Sequence, residues 1–381
     1  MSMQVFCMLM LLANVPGAVW PLQQASDRAG RGKTSKLQSS KFEELARAAT
    51  IAREHEQSDQ AIQLYRQTLQ LRPEWQEGRW YLSTLLYQKE LYADCRDHLR
   101  RFVAIDPQTG PAWAVLGMSE YQLRDYSRAL DHLQRAANLG LGDRKDLARS
   151  MFYFTALLLT REERYDDAMN LLISMVKSTS ETEFLVEPLG IAALRLPLLP
   201  QEIPADRREL VEMAGKATLA VEAQQQQEAV TLFDTIAAKY PNENGVHFLY
   251  GAYLMDLRPD DGVLEMKREL EVSPSGIPAR LRLAEQYIKD ENSGEALRLA
   301  REAIELDPEN SAARMILGES LIAAGEVQQG IAELEKARQQ TPERVRTHWD
   351  LLRAYTAAGR LEDARREKGE IEKLNAPVAR P

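Results

Sequence analysis

The sequence predicts an all-α fold, a solenoid of short helical hairpins stacked along the chain, on three observations. Pro73 and Pro107 stand 34 residues apart, and Pro274, Pro308 and Pro342 keep the same interval twice more. Ala61, Ala129, Ala229, Ala296 and Ala364 hold that beat, each twelve residues ahead of a closing position. Between these marks the apolar residues recur at spacings of three and four, which gathers them on one stripe of a helix. A self-similar period of this length is the mark of a repeat architecture, in which each unit buries its apolar flank against the next.

Composition agrees with this class. The 381 residues are 44% hydrophobic and 28% charged, in the range of folded soluble domains rather than disordered chains. The formal charge of −9 argues against a nucleic-acid partner, which needs a basic stripe.

Taken from the start, Val5 to Ala13 is an uncharged apolar run followed by Asn14, Pro16 and Gly17. It is shorter than the ~20 residues that span a bilayer, and it has the length of a signal-peptide core. Residues 1–18 are therefore read as a signal peptide, with an uncleaved membrane anchor and a buried N-terminal segment as the alternatives. Residues 19–41 carry Arg28, Arg31, Lys33, Lys36 and Lys41 with no apolar period, and read as a flexible tether. Cys7 lies in the apolar run, so removal of the signal leaves Cys95 alone and no intramolecular disulfide.

The stretch from Trp113 shows what one unit needs. Trp113, Leu116 and Gly117 share one helical face, Arg124-Asp125-Tyr126 turns the chain, and Ala129, Leu133 and Ala136 mark the face of a second helix. Small residues sit where two helix axes approach, and large ones fill the space around them. A proline after the second helix lacks the amide donor needed to continue it. These residues resemble the tetratricopeptide-repeat family, whose 34-residue pattern runs Trp, Leu-Gly, Tyr, Ala, Phe/Leu, Ala, Pro. The resemblance covers roughly residues 42–372 and implies a right-handed solenoid of about nine hairpins. They open near Phe42, Gln76, Gly110, Arg149, Leu210, Glu243, Ile277, Ser311 and Val345. The N-terminal array is residues 42–180 and the C-terminal array, with a polar capping helix, 210–381. The sixth unit departs from the pattern through Gly262 and through Glu269 at an alanine place.

Residues 181–209 interrupt the arrays. "ETEFLVEPLGIAALRL" has the character of an extra helix, and "PLLPQEIP" that of an extended apolar connector. The insertion reads either as a plug packed on the solenoid or as a partner- or self-binding segment.

Catalytic patterns are few. His55-Glu56 opens like a zinc-protease helix, but the fifth place holds Asp59; Gly32-Lys33-Thr34 ends like a phosphate loop, but Asp27 stands where glycine is required. His98 and His132 lie 34 apart on second helices, each after an aspartate, at a place expected to face solvent. A shared metal there is the remote enzymatic reading. No cofactor is called for, and a non-catalytic role is expected.

The resemblance implies that first helices line a concave groove that takes a peptide or helix of a partner protein. Carried over place by place, the groove holds Trp80, Thr84, Tyr87, Met118, Tyr121, Tyr153, Leu281, Met315 and Trp349. Its aromatics suit the anchoring role of such residues in interfaces, or else pack as core. The reading is a protein-binding scaffold, periplasmic or otherwise exported, with a cytoplasmic adaptor as the alternative and membrane contact only through an uncleaved N-terminus.

Overall fold

The computed structural model describes residues 34–375. The apolar run, the expected cleavage site and the first part of the expected tether lie outside the described residues. Among these residues the structure is helical with no strand, and no helix is long and apolar enough to cross a membrane. The chain divides into two compact units that meet in sequence at Gln225 and Gln226.

The first unit begins with α1 (Thr34–Glu54) and α2 (Ser58–Leu71). Helix α1 starts eight residues ahead of Phe42, so the end of the segment read as a tether is helical. Three more hairpins follow: α3 (Gln76–Gln88) with α4 (Tyr92–Ile105), α5 (Gly110–Gln122) with α6 (Tyr126–Leu139), and α7 (Lys145–Arg161) with α8 (Tyr165–Ser178). The insertion then supplies α9 (Val186–Ala193), which packs against α10 (Arg208–Glu222). In the second unit α11 (Gln226–Lys239) precedes four hairpins: α12 (Val246–Leu254) with α13 (Pro259–Val272), α14 (Ile277–Lys289) with α15 (Ser293–Leu306), α16 (Ser311–Ala323) with α17 (Val327–Gln340), and α18 (Val345–Ala357) with α19 (Leu361–Leu374). The two helices assigned from sequence to the fifth hairpin, α10 and α11, lie on either side of that division, and α10 packs on α9 of the insertion.

That partnership has a steric cause. A Cβ on Gly190 would lie 1.9 Å from the carbonyl oxygen of Val211, and one on Gly215 would lie 1.9 Å from that of Val186. Each helix therefore presses its backbone into the glycine of the other. The second half of the insertion is anchored by Leu199 and Ile203, both buried. Its Leu199 amide donates to Glu202 (3.0 Å), which also pairs with Arg161 at 2.6 Å.

The turns obey one rule. Glu56, Glu90, Arg124, Glu163, Gln224 and Glu291 all have φ between 57° and 62°, and Gly325 and Gly359 occupy the same place in the last two repeats with φ 86° and 72°. This left-handed residue stops the first helix; at Leu91, for example, the next amide returns to Leu86 O at 2.9 Å.

A second rule ties successive hairpins together. A side chain in the first turn of the first helix, six residues after the closing proline, sends an N–H to that proline's carbonyl. Trp113 Nε1 donates to Pro107 at 2.9 Å, His247 Nε2 to Pro241 at 3.0 Å, Arg314 Nη2 to Pro308 at 2.5 Å and His348 Nε2 to Pro342 at 2.7 Å. Arg79 does the same to Pro73. Tryptophan, histidine and arginine share little except that donor.

Glu269 resolves the irregular sixth repeat. Its buried carboxylate accepts the amides of Gly245 (2.9 Å) and Phe248 (3.1 Å), capping the exposed donors at the start of α12. Burial raises this carboxyl above its ordinary range, against the pull of the two amides.

Candidate protein-binding faces

In the first unit the surface offered by α3 is Trp80 and Thr84. Both are half-buried; the Trp80 ring lies 6.2 Å from Phe102. Thr84 Oγ1 donates to its own helix at Tyr81 O, 2.9 Å away, so its methyl faces outward from that bond.

The other carried-over places of this unit are core. Tyr87 is buried edge-on against Tyr92 at 5.3 Å. Met118 is fully buried, and Tyr121 packs at 4.6 Å from Phe154 and 5.6 Å from Tyr126. Tyr153 is buried against Phe154 and Phe184 at 5.6 and 6.1 Å. For Tyr121 and Tyr153 the insertion contributes. Phe184 precedes α9, while Gln201 hydrogen-bonds the Tyr121 phenol, whose pKa burial pushes up to about 12. The inserted segment therefore closes over the positions that an uninterrupted array leaves open. Helix α5 is wrapped throughout, and even its one charged residue, Glu120, is inaccessible. Burial works to raise the Glu120 carboxyl, but hydrogen bonds from His132 and Arg100 hold it below its ordinary value.

The histidines take structural places. His132, expected to face solvent, lies 4.9 Å from the Trp113 ring with Nδ1 2.5 Å from Glu120. His98 is half-buried, and its pKa is lowered by burial and by the nearby guanidiniums of Arg79, Arg101 and Arg66. Among the described residues no group of three or more His, Cys, Asp or Glu is placed to hold a metal. His247 and His348 are buried, each with Nδ1 2.6 Å from a carboxylate, Glu265 or Glu367.

In the second unit Met315 is core, Leu281 is half-buried and Trp349 is 47% exposed. Around Trp349 stands an ionic network that the carry-over of apolar groove places passed by. Arg346 Nη1 reaches Glu285 on α14 at 2.6 Å, and its Nη2 spans both oxygens of Glu319 on α16 at 3.1 and 3.2 Å. Arg346 Nε lies 3.8 Å from Asp350, which also accepts from Arg353. Arg282 pairs with Glu285 at 3.3 Å. One guanidinium thus stitches three successive first helices. Burial, with the adjoining Asp350 carboxyl, pushes Glu319 up to about 8. A signal for this network was present: Glu285, Glu319 and Arg353 are spaced by 34 and occupy one place in three repeats.

Two family models, both described as tetratricopeptide repeat, match the sequence, one over residues 47–109 and 115–177 and the other over 287–342 and 321–367. Together they cover more than half of the chain. The chain belongs to the tetratricopeptide-repeat family. Its tetratricopeptide arrays make it a scaffold for protein–protein contacts. Comparison with curated proteins finds no match. Among solved structures it is similar to MamA from Desulfovibrio magneticus RS-1, at 18% identity over 42% of this chain and 90% of that one, with a TM-score of 0.36. It is also similar to MamA MSR-1, at 23% identity over 43% and 95% with a TM-score of 0.35. The APC/C hetero-tetramer Cut9–Hcn1 matches at 13% identity over 90% of this chain and 68% of that chain, with a TM-score of 0.39. At such identities the likeness is one of fold alone.

Proposed function

We propose that the chain is a non-catalytic scaffold that holds a peptide or helix of a partner protein on the inner faces of its first helices, and that it works in the cell envelope. The supporting observation is the contrast among the inner-face places. Most inner-face places are core, whereas Trp80 and Trp349 keep aromatic surface accessible, and such anchors carry a large share of interface energy. Thr84 beside Trp80 and Leu281 in the second unit extend the offered surface. The apolar run Val5–Ala13 is the reason for the envelope assignment.

A photo-crosslinking amino acid placed at position 80 or 349 in the native host tests both parts. The proposal expects a discrete crosslinked protein from these positions and none from the exposed outer-helix residue Gln67. Equal crosslinking from all three positions overturns the inner-face assignment. Recovery of the full-length chain in the cytosolic fraction overturns the envelope location while leaving the scaffold.

A further inference from the structure

We infer that the inner stripe of α18 in the second unit takes an acidic peptide segment, in which two carboxylates flank an apolar side chain. The inference rests on the inner-face reading and deepens it by naming the chemistry of the partner.

The charges around Trp349 are layered. The carboxyls lie underneath, with side-chain exposures of 17% for Glu285, 16% for Glu319 and 2% for Asp350. The guanidiniums lie on top, at 48% for Arg346, 75% for Arg353 and 43% for Arg282. An arriving ligand therefore meets cations and an indole, not acids. The carboxylates beneath fix these guanidiniums in place, so a ligand does not bear the whole cost of ordering long side chains. A guanidinium also presents five N–H donors, and those not spent on the acids below remain for a planar anion such as carboxylate.

Spacing narrows the ligand. Arg346, Trp349 and Arg353 stand at i, i+3 and i+7 on one helix, which puts them on one stripe. At 1.5 Å rise per residue the two arginines are about 10 Å apart along the axis. A peptide in the polyproline II conformation advances about 3.1 Å per residue with three residues per turn, so carboxylates three residues apart share one face and stand about 9 Å apart, close to that distance. The side chain between them lies over Trp349. The charge balance agrees. The charged groups of the cluster are Arg282 and Glu285 from α14, Glu319 from α16, and Arg346, Asp350 and Arg353 from α18. These make three cations against three acids. Burial and the adjoining Asp350 carboxyl favour the protonated form of Glu319, and Asp350 Oδ2 has no other hydrogen-bond partner. The cluster is then net positive.

The test uses the full chain and two fluorescein-labelled octapeptides, one repeating Glu-Leu-Leu-Glu and one repeating Lys-Leu-Leu-Lys, read by fluorescence anisotropy at low salt and pH 7. The acidic peptide is expected to bind saturably and the basic one at least tenfold more weakly. Arg282→Gln with Arg353→Gln, both at exposed positions, is expected to weaken acidic-peptide binding at least tenfold with unchanged far-ultraviolet circular dichroism. Trp349→Ala is expected to weaken it about fivefold. Affinity also falls from pH 7 to 9 as Glu319 loses its proton, and Glu319→Gln removes that dependence. Equal or tighter binding of the basic peptide, still sensitive to Trp349→Ala, overturns the charge assignment and leaves the inner-face scaffold standing. Failure of both peptides to bind, together with loss of the crosslink at position 349, overturns both. Acidic binding indifferent to the double arginine change overturns the site.

Discussion

The mutual crossing of α9 and α10 makes the sharpest prediction about why the insertion exists. Replacing Gly190 by alanine puts a methyl group 1.9 Å from the Val211 carbonyl oxygen and 2.8 Å from its carbon. Real Cβ atoms essentially never approach closer than 3.0 Å, so the two backbones must separate by about 1.1 Å. A flexible side chain would swing aside, but a carbonyl inside α10 has nowhere to go without breaking its own helix. Separation on that scale forfeits a quarter to a half of the dispersion energy at each contact across the seam. That seam includes Leu189, Ile191 and Val211, all essentially inaccessible. Overpacking of this kind costs ~3 kcal/mol, near the upper end of what small-to-large core changes show. Gly294→Ala is the control, since no atom lies within 4 Å of where its Cβ would stand and the helix there gains from alanine. Urea unfolding followed by circular dichroism, with amide exchange of residues 186–222, measures the difference. The expected result is a lowered midpoint and faster exchange in α9 and α10 for Gly190→Ala, with Gly294→Ala neutral or slightly stabilised. A Gly190→Ala chain with native midpoint and native protection would refute the idea that backbone contact at these glycines holds the insertion in place.

Three further outcomes follow from the same structure. Glu90→Gly and Arg124→Gly relieve left-handed residues at φ 59° and 62° and are expected to raise stability by ~1 kcal/mol each, whereas Gly325→Ala at φ 86° lowers it by a similar amount in thermal unfolding. Glu269→Ala strands the amides of Gly245 and Phe248 and is expected to cost ~2 kcal/mol, read as faster exchange at those two amides; unchanged exchange there would remove the capping role. For Glu319 the folded pKa of about 8 exceeds its ordinary value of 4.5, so the native state holds a proton that unfolding releases. Its contribution is therefore fully present below about 4.5 and is lost as pH rises toward 8, and Glu319→Gln is expected to flatten the stability profile in that window.

The solenoid was legible because its period is enforced at every repeat by the same steric needs. Alanine at the crossing and proline after the second helix cannot be exchanged for most residues without a clash or a lost boundary, so both survive in the sequence as a count of 34. Burial of the inner face was less legible, because it depends on what lies over it. Tyr121 and Tyr153 sit at places that are open in a regular array, and only the positions of Phe184 and Gln201 in three dimensions show them closed. One clue was available. The stretch Gly110–Gln122 contains a single charged residue, and a helix without a polar face is buried all round. Pairing of α10 with α9 was hidden for a related reason, since Gly190 and Gly215 are 25 residues apart and break the repeat period that directed attention elsewhere.

The two repeat places that carry polar chemistry differ in what they constrain, and the difference separates architecture from recognition. At the place six residues after the closing proline the geometry demands one N–H donor aimed at a proline carbonyl, and Arg79, Trp113, His247, Arg314 and His348 all meet that demand despite their different charge and shape. Variation there is silent because the bond is the same. At the ninth place no such bond is required by the fold, yet Glu285 and Glu319 stand under Arg346 while Arg353, held by Asp350, is more exposed than either. Three buried or half-buried carboxyls gathered beneath exposed guanidiniums are costly to desolvate and contribute little net stability. The stacking of α14, α16 and α18 is already secured by Ala284, Ile316, Leu334 and Leu351 in the core. A polar arrangement that the packing does not need, placed beside an exposed tryptophan, is better explained by what it presents outward than by what it holds together.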